Sequence, residues 1–114
     1  MSRIILLPKH LDGTKKMIEE LIQDGEKSIL FKHIRDFSHP LEVVSCDEHE
    51  FPAVVVTCCQ DILDALEPTI KTIGIENFDK FNYNDMVKFL KKLIRKDYKI
   101  ILTGKNIIID KFST

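Results

Sequence analysis

Apolar residues along this chain follow two spacings, one suited to strands and one to helices, and the order in which they alternate gives a first outline of the fold. Arg3 to Pro8 (RIILLP) is a short continuous apolar run ended by proline, and it reads as a buried strand. A helix opens at Asp12-Gly13-Thr14. Met17, Ile18, Leu21 and Ile22 recur at its apolar spacing, Glu19, Glu20 and Gln23 face outward, and Gly25 is a natural stop. Residues 26–37 suit either element. Leu30, Phe31, Ile34 and Phe37 form a helical stripe, which the reading favours over a strand at Ile29-Leu30-Phe31, and Ser38-His39-Pro40 then breaks the chain.

Two β-branched runs follow, Leu41 to Cys46 and Phe51 to Cys58, separated by Asp47-Glu48-His49-Glu50. They predict a hairpin, with Pro52 near the start of the second strand and Val54-Val55-Val56 covered on both faces. Gln60 to Gly74 places Ile62, Leu63, Leu66, Ile70 and Ile73 on one helical face, kinked or divided at Pro68. Ile75 to Phe81 reads as a linker pinned by Phe78 and Phe81. Asn82 caps a last helix, with Asp85 in its first turn and Met86, Phe89, Leu90, Leu93 and Ile94 as its apolar stripe. Lys99 to Leu102 and Asn106 to Asp110, joined by Thr103-Gly104-Lys105, predict a closing hairpin.

These elements predict one α/β or α+β domain spanning residues 1–114. Its order resembles the β-α-β-β-α-β ferredoxin-like plan, while the last helix and hairpin equally resemble a winged-helix C-terminus. Neither resemblance assigns a function. At 114 residues the chain can bury about two-thirds of its unfolded surface and needs neither disulfide nor metal to fold. No apolar run reaches the roughly 20 residues of a membrane span, and the apolar stretch after Met1-Ser2-Arg3 is too short for a signal peptide. Cys46, Cys58 and Cys59 show no disulfide-framework spacing. The expected location is therefore cytoplasmic or nuclear, with no membrane partner.

The net charge of −1 conceals a polarity. Residues 1–79 carry 8 basic and 15 acidic residues, whereas residues 80–114 carry 9 basic and 3 acidic ones. Lys88, Lys91, Lys92 and Arg95 follow the spacing i, i+3, i+4, i+7, so they share a helix face with Lys96 beside them. Lys99 and Lys105 in the predicted hairpin extend this set as a wing that would meet phosphates or an acidic partner. The isoelectric point of about 6.4 and the scarcity of base-reading side chains weigh against nucleic acid.

No catalytic signature emerges. His39, Cys46, His49, Cys58 and Cys59 are metal-ligand types, but in a simple hairpin Cys46 and Cys58 lie more than ~15 Å apart at ~3.3 Å per residue, too far for one ion. Cys59, at a strand-to-helix junction, is the one candidate nucleophile, with His33, His39 and His49 as bases that no spacing selects. The turn carboxylates Asp47, Glu48 and Glu50 and the helical pair Asp61 and Asp64 lack calcium-loop spacing. The loops at Gly13 and Gly104 match no phosphate-cradling motif. The leading expectation is a non-enzymatic interaction or regulatory domain, without metal or cofactor, acting through a protein partner or self-association as a homodimer. A nucleic-acid-binding protein is the first alternative and a small cysteine enzyme the second.

Overall fold

Five strands running in the same direction form the centre of the protein in a computed structural model that describes residues 2–9, 12–36 and 43–105. They are β1 (Arg3–Pro8), β2 (Ser28–His33), β5 (Val54–Val56), β6 (Thr72–Glu76) and β7 (Lys99–Gly104), in the spatial order β1-β7-β6-β2-β5. Every neighbouring pair is parallel. A separate antiparallel hairpin, β3 (Val43–Cys46) with β4 (His49–Pro52), pairs Cys46 opposite His49.

The helices divide between the two faces of the sheet. On one face lies α1 (Gly13–Asp24), where Met17, Ile18 and Leu21 pack with Leu30, Ile101 and the hairpin's Val44. On the other lie α2 (Cys59–Ala65) and α3 (Tyr83–Leu93), whose Cys59, Ile62, Met86, Phe89, Leu90 and Leu93 surround Phe31, Ile73, Ile75, Phe78, Ile100 and Leu102. The result is a single doubly wound α/β domain. A parallel sheet needs this cover because its crossover connections place helices on its faces and both faces must leave water.

That constraint explains where the sequence reading departs from the structure. Residues 26–36 hold β2 between two 3-10 turns, not a helix, and Phe37 lies outside the described residues. Leu30 faces the α1 core and Phe31 the opposite one, so the strand is apolar on both sides and imitates a helical stripe. Residues 60–74 split likewise. Helix α2 ends at Ala65, and Ile70 to Gly74 leads into β6, a central strand buried throughout that includes part of the expected linker. The second β-branched run also divides, at Ala53: β4 closes the hairpin, while Val54–Val56 joins the main sheet at its edge, with Val54 38% exposed instead of covered on both faces.

The C-terminal expectation changes most. Strand β7 is no wing; it is inserted between β1 and β6, and it continues through Thr103 and Gly104 with Gly104 opposite Pro8. The winged-helix resemblance fails for that reason. The ferredoxin-like plan shares the alternation of elements but not the uniformly parallel pairing. The second half of the expected hairpin, residues 106–110, lies outside the described residues. Strand β1 is half-buried at the sheet's other edge, and Ile22 is 52% exposed instead of joining the α1 stripe.

Two glycines fix the spacing of α1 from the sheet. A Cβ on Gly13 would lie 2.5 Å from the Leu7 carbonyl oxygen and 2.7 Å from that of Pro8, so the start of α1 rests directly on the end of β1. A Cβ on Gly74 would lie 2.9 Å from Leu21 Cδ1 and 3.1 Å from Leu30 Cδ1. Gly25, at φ 58°, closes α1 as its sequence position suggested, and its N–H bonds the Leu21 carbonyl. Side-chain ends yield to an added methyl, whereas strand carbonyls do not. Gly74→Ala is therefore expected to cost about 1–3 kcal/mol and Gly13→Ala more than that, measured by urea denaturation. Equal losses at the two positions would refute the different spacing constraints assigned to them.

Candidate functional site

Helix α3 presents Lys88, Lys91 and Lys92, while Arg95 and Lys96, expected on the same helix, lie in the turn just beyond its end at Leu93. Asn82 caps it, its side chain accepting from Asn84 N and Asp85 N as expected. At the far end, the Ser2 hydroxyl lies 2.6 Å from the Leu93 carbonyl and accepts from Tyr98 N at 3.2 Å. With the apolar stripe turned inward, Lys88, Lys91, Lys92, Arg95 and Lys96 are all exposed. Among the described residues none of their side chains has a carboxylate at ion-pair distance.

The other two basic residues do not join them. Lys99, at the start of buried β7, is half-buried and spent within the fold on Glu20 and, at 3.8 Å, Asp24. Lys105 follows the opposite end of β7, six residues or about 20 Å away along the strand. The candidate surface thus contracts to the five cations of residues 88–96.

A groove between α2 and α3 gives that surface depth, which the linear pattern did not reveal. One cavity of about 260 Å³ is lined by Cys58, Cys59, Gln60, Asp85, Lys88 and Phe89. A larger one of about 670 Å³ lies further along, over Leu63, Leu66, Pro68, Leu93 and Tyr98. Gln60, Leu63 and Lys92 line both, so the two cavities are one continuous depression. Lys92, Arg95 and Lys96 border its basic side and Asp64 and Glu67 its acidic side. Finding it required knowing that α2 stops at Ala65 and that α3 lies beside it.

A second cluster gathers at the carboxyl ends of the strands, where open parallel sheets characteristically bind ligands. Glu76 ends β6 with its side chain only 6% exposed. Lys9, just after β1, places Nζ 2.7 Å from Glu76 Oε1, and the Thr14 hydroxyl of α1 lies 3.0 Å from Oε1 and 3.2 Å from Oε2. Nearby strand ends contribute Lys32, which donates to the Val43 carbonyl at 3.1 Å, and Thr103, which accepts from Asn77 N at 2.9 Å. His33 Nδ1 accepts from Arg35 N, and its ring meets Phe81 edge-on at 4.8 Å. No local spacing marks this cluster, because residues 9, 14 and 76 converge only through the parallel register.

The other chemical candidates disperse. Cys46 packs on the α1 side of the sheet and Cys59 on the opposite side, so the sheet separates these two. His39 lies outside the described residues. His49 stands 3.7 Å from Glu19, with its Nδ1 buried and unbonded. Among the described residues no group of three or more His, Cys, Asp or Glu is arranged to hold a metal ion. Asp61 is held below the usual carboxylate range by hydrogen bonds from the Thr57 backbone and hydroxyl, and Asp64 accepts from Gln60. No helix among the described residues is long and apolar enough to cross a membrane.

Cys59 is the opposite of an activated nucleophile. Burial above all, then the charges of Asp85 and Cys58, push its thiol up to about 12 from an ordinary 9.0. No protein-family model matches this chain, and no curated protein matches it.

Two consequences are measurable. Glu76→Gln leaves Lys9 without its carboxylate and weakens the tie from β6 to both β1 and α1. A loss of about 1–3 kcal/mol in urea denaturation is expected, and an unchanged midpoint would show that the cluster contributes nothing. Because the folded Cys59 thiol ionises only near pH 12, its contribution to stability is intact below pH 9 and declines between pH 9 and 12. The stability difference between wild type and Cys59→Ala should therefore stay level up to pH 9 and shrink above it. A level difference up to pH 12 would contradict the assigned desolvation.

Proposed function

We propose that this chain is a non-enzymatic interaction domain that binds a protein partner through α3 and its groove with α2. The observation that carries this reading is the row of exposed cations along one wall of a depression whose floor is apolar. Scattered surface lysines are ordinary solvated groups. Cations bordering an apolar concavity instead supply both the buried centre and the polar rim of a protein interface.

Three features favour a protein over a nucleic acid. Asp64 and Glu67 border the same groove and would repel a phosphate backbone, Lys99 is neutralised within the fold, and β7 is too deeply placed to act as a wing. Charge-driven self-association is also disfavoured. The acidic hairpin turn at Asp47 and Glu48 lies on the α1 side of the sheet and α3 on the other, so pairing them between copies gives a head-to-tail contact that does not close as a dimer. Against catalysis stand the engaged carboxylate of Glu76 and the protonated thiol of Cys59.

A second reading rests on the carboxyl-edge cluster. Lys9, Lys32 and the start of α1 lie where doubly wound sheets hold phosphate-bearing small molecules. Thermal shift with pyrophosphate and nucleoside triphosphates tests it. Stabilisation lost in Lys9→Ala would favour this reading, and no shift at millimolar ligand would dismiss it.

For the leading proposal, cross-linking mass spectrometry on nuclease-treated extracts should place partner cross-links on residues 88–96. The triple variant K88E/K92E/R95E should lose at least tenfold of that partner while keeping its urea midpoint. Identical capture by the variant, or capture that nuclease removes, would overturn the proposal.

A further inference from the structure

We infer that the element recognised in the α2–α3 groove is a short extended acidic segment carrying one bulky apolar side chain. This rests on the reading of that groove as the docking face and specifies its occupant. From Lys88 to Lys92 helix α3 advances about 6 Å, at 1.5 Å per residue, and Arg95 and Lys96 follow in the turn beyond its end at Leu93. An extended chain covers that distance in about two residues, at 3.3 Å each, and projects alternate side chains to the same side. Two carboxylates two residues apart on such a segment can face Lys88 and Lys92. Intervening side chains then point toward the floor.

Charge and shape in the groove agree on this occupant. Four cations, Lys88 and Lys92 on α3 and Arg95 and Lys96 in the turn after it, line the two cavities. Asp64 and Glu67 lie across the groove and Asp85 on α3 itself, and Asp64 already accepts from the Gln60 amide at 2.9 Å. The surplus is positive and lies along one wall, so it fixes which edge of the segment must be acidic. The larger cavity, about 670 Å³ over Leu63, Leu66, Pro68, Leu93 and Tyr98, has room for a phenylalanine or leucine side chain. Helix α2 spans only seven residues, about 10 Å, which offers a partner helix less than two turns of parallel contact. An extended segment uses the groove's whole length.

The test is fluorescence anisotropy with labelled eight-residue peptides at low and moderate salt. One probe alternates acidic residues around a central Phe-Leu, a second replaces Phe-Leu by serines, and a third keeps Phe-Leu but substitutes lysine for the acids. A single-stranded oligonucleotide of equal charge serves as competitor. The first peptide should bind at least tenfold more tightly than the other two, weaken with salt, and lose at least tenfold on K92E. The variant E67K, at an exposed position, should strengthen it two- to fivefold. No preference for the first peptide, displacement by the oligonucleotide at matched charge, or a molecular mass that grows with concentration through the same groove would each overturn the inference. If the peptides fail while K88E/K92E/R95E still loses its cross-linked partner, the docking face stands and only its occupant is wrong.

Discussion

Burial of β6 and β7 on both faces is the constraint from which the rest of this structure follows. Ile73 and Ile75 of β6 and Ile100 and Leu102 of β7 face the α2–α3 side, while Ile101 faces α1. Two strands so placed cannot leave either face wet, since each apolar side chain contributes roughly 1.5–3 kcal/mol on burial. Helices must therefore lie on both sides, and parallel pairing supplies crossovers long enough to hold them. Even the absence of a side chain at Gly74 belongs to this arrangement, because Leu21, Leu30 and Met17 occupy the space above it.

The same burial dictates how charge is handled. A carboxylate at the end of a buried strand is costly unless it is paired and hydrogen-bonded, and Glu76 has both Lys9 and Thr14. Lys99 meets Glu20 and Asp24, and Thr72 donates to Asp24 at 2.6 Å, so the amino ends of β6 and β7 are tied to the last turn of α1. Charges within the layered core are thus spent on holding the layers together. Those on the outer side of α3 have no such employment among the described residues. This contrast, more than the abundance of lysine, distinguishes the helix as a working surface.

How much of this was legible in the sequence depended on whether an element had one face or two in contact with apolar neighbours. Helices α1 and α3 were readable because each has one inward stripe and a polar remainder, and because Gly25 and Asn82 mark their ends through specific backbone chemistry. Strands β2 and β6 were misread for the opposite reason. Buried on both sides, SILFKH and TIGIE lack the alternation that marks a half-exposed strand, and in a short window they pass for helix or linker. The exposed row from Lys88 to Lys92 followed from helical spacing, although the helix ends before Arg95 and Lys96. The apolar groove beside them, and the meeting of Lys9, Thr14 and Glu76, arise from neighbours fixed by the sheet order, which no local spacing encodes.

The charge polarity changes meaning once it is folded. Along the sequence it separates an acidic two-thirds from a basic third, which invites either internal neutralisation or pairing of two copies. In space, Lys99 from the basic third crosses to the acidic α1 and is neutralised there, whereas the α3 cations face away from α1 and from the hairpin turn. Across the groove from those cations lie Asp64 of α2 and Glu67 of the segment after it. A ligand there meets a gradient of charge over an apolar floor instead of a uniformly basic plate. A uniform plate would favour any polyanion, and its affinity would track phosphate count and salt. A gradient with a floor selects for an edge of carboxylates joined to an apolar side chain, and it penalises the ligand that offers charge alone.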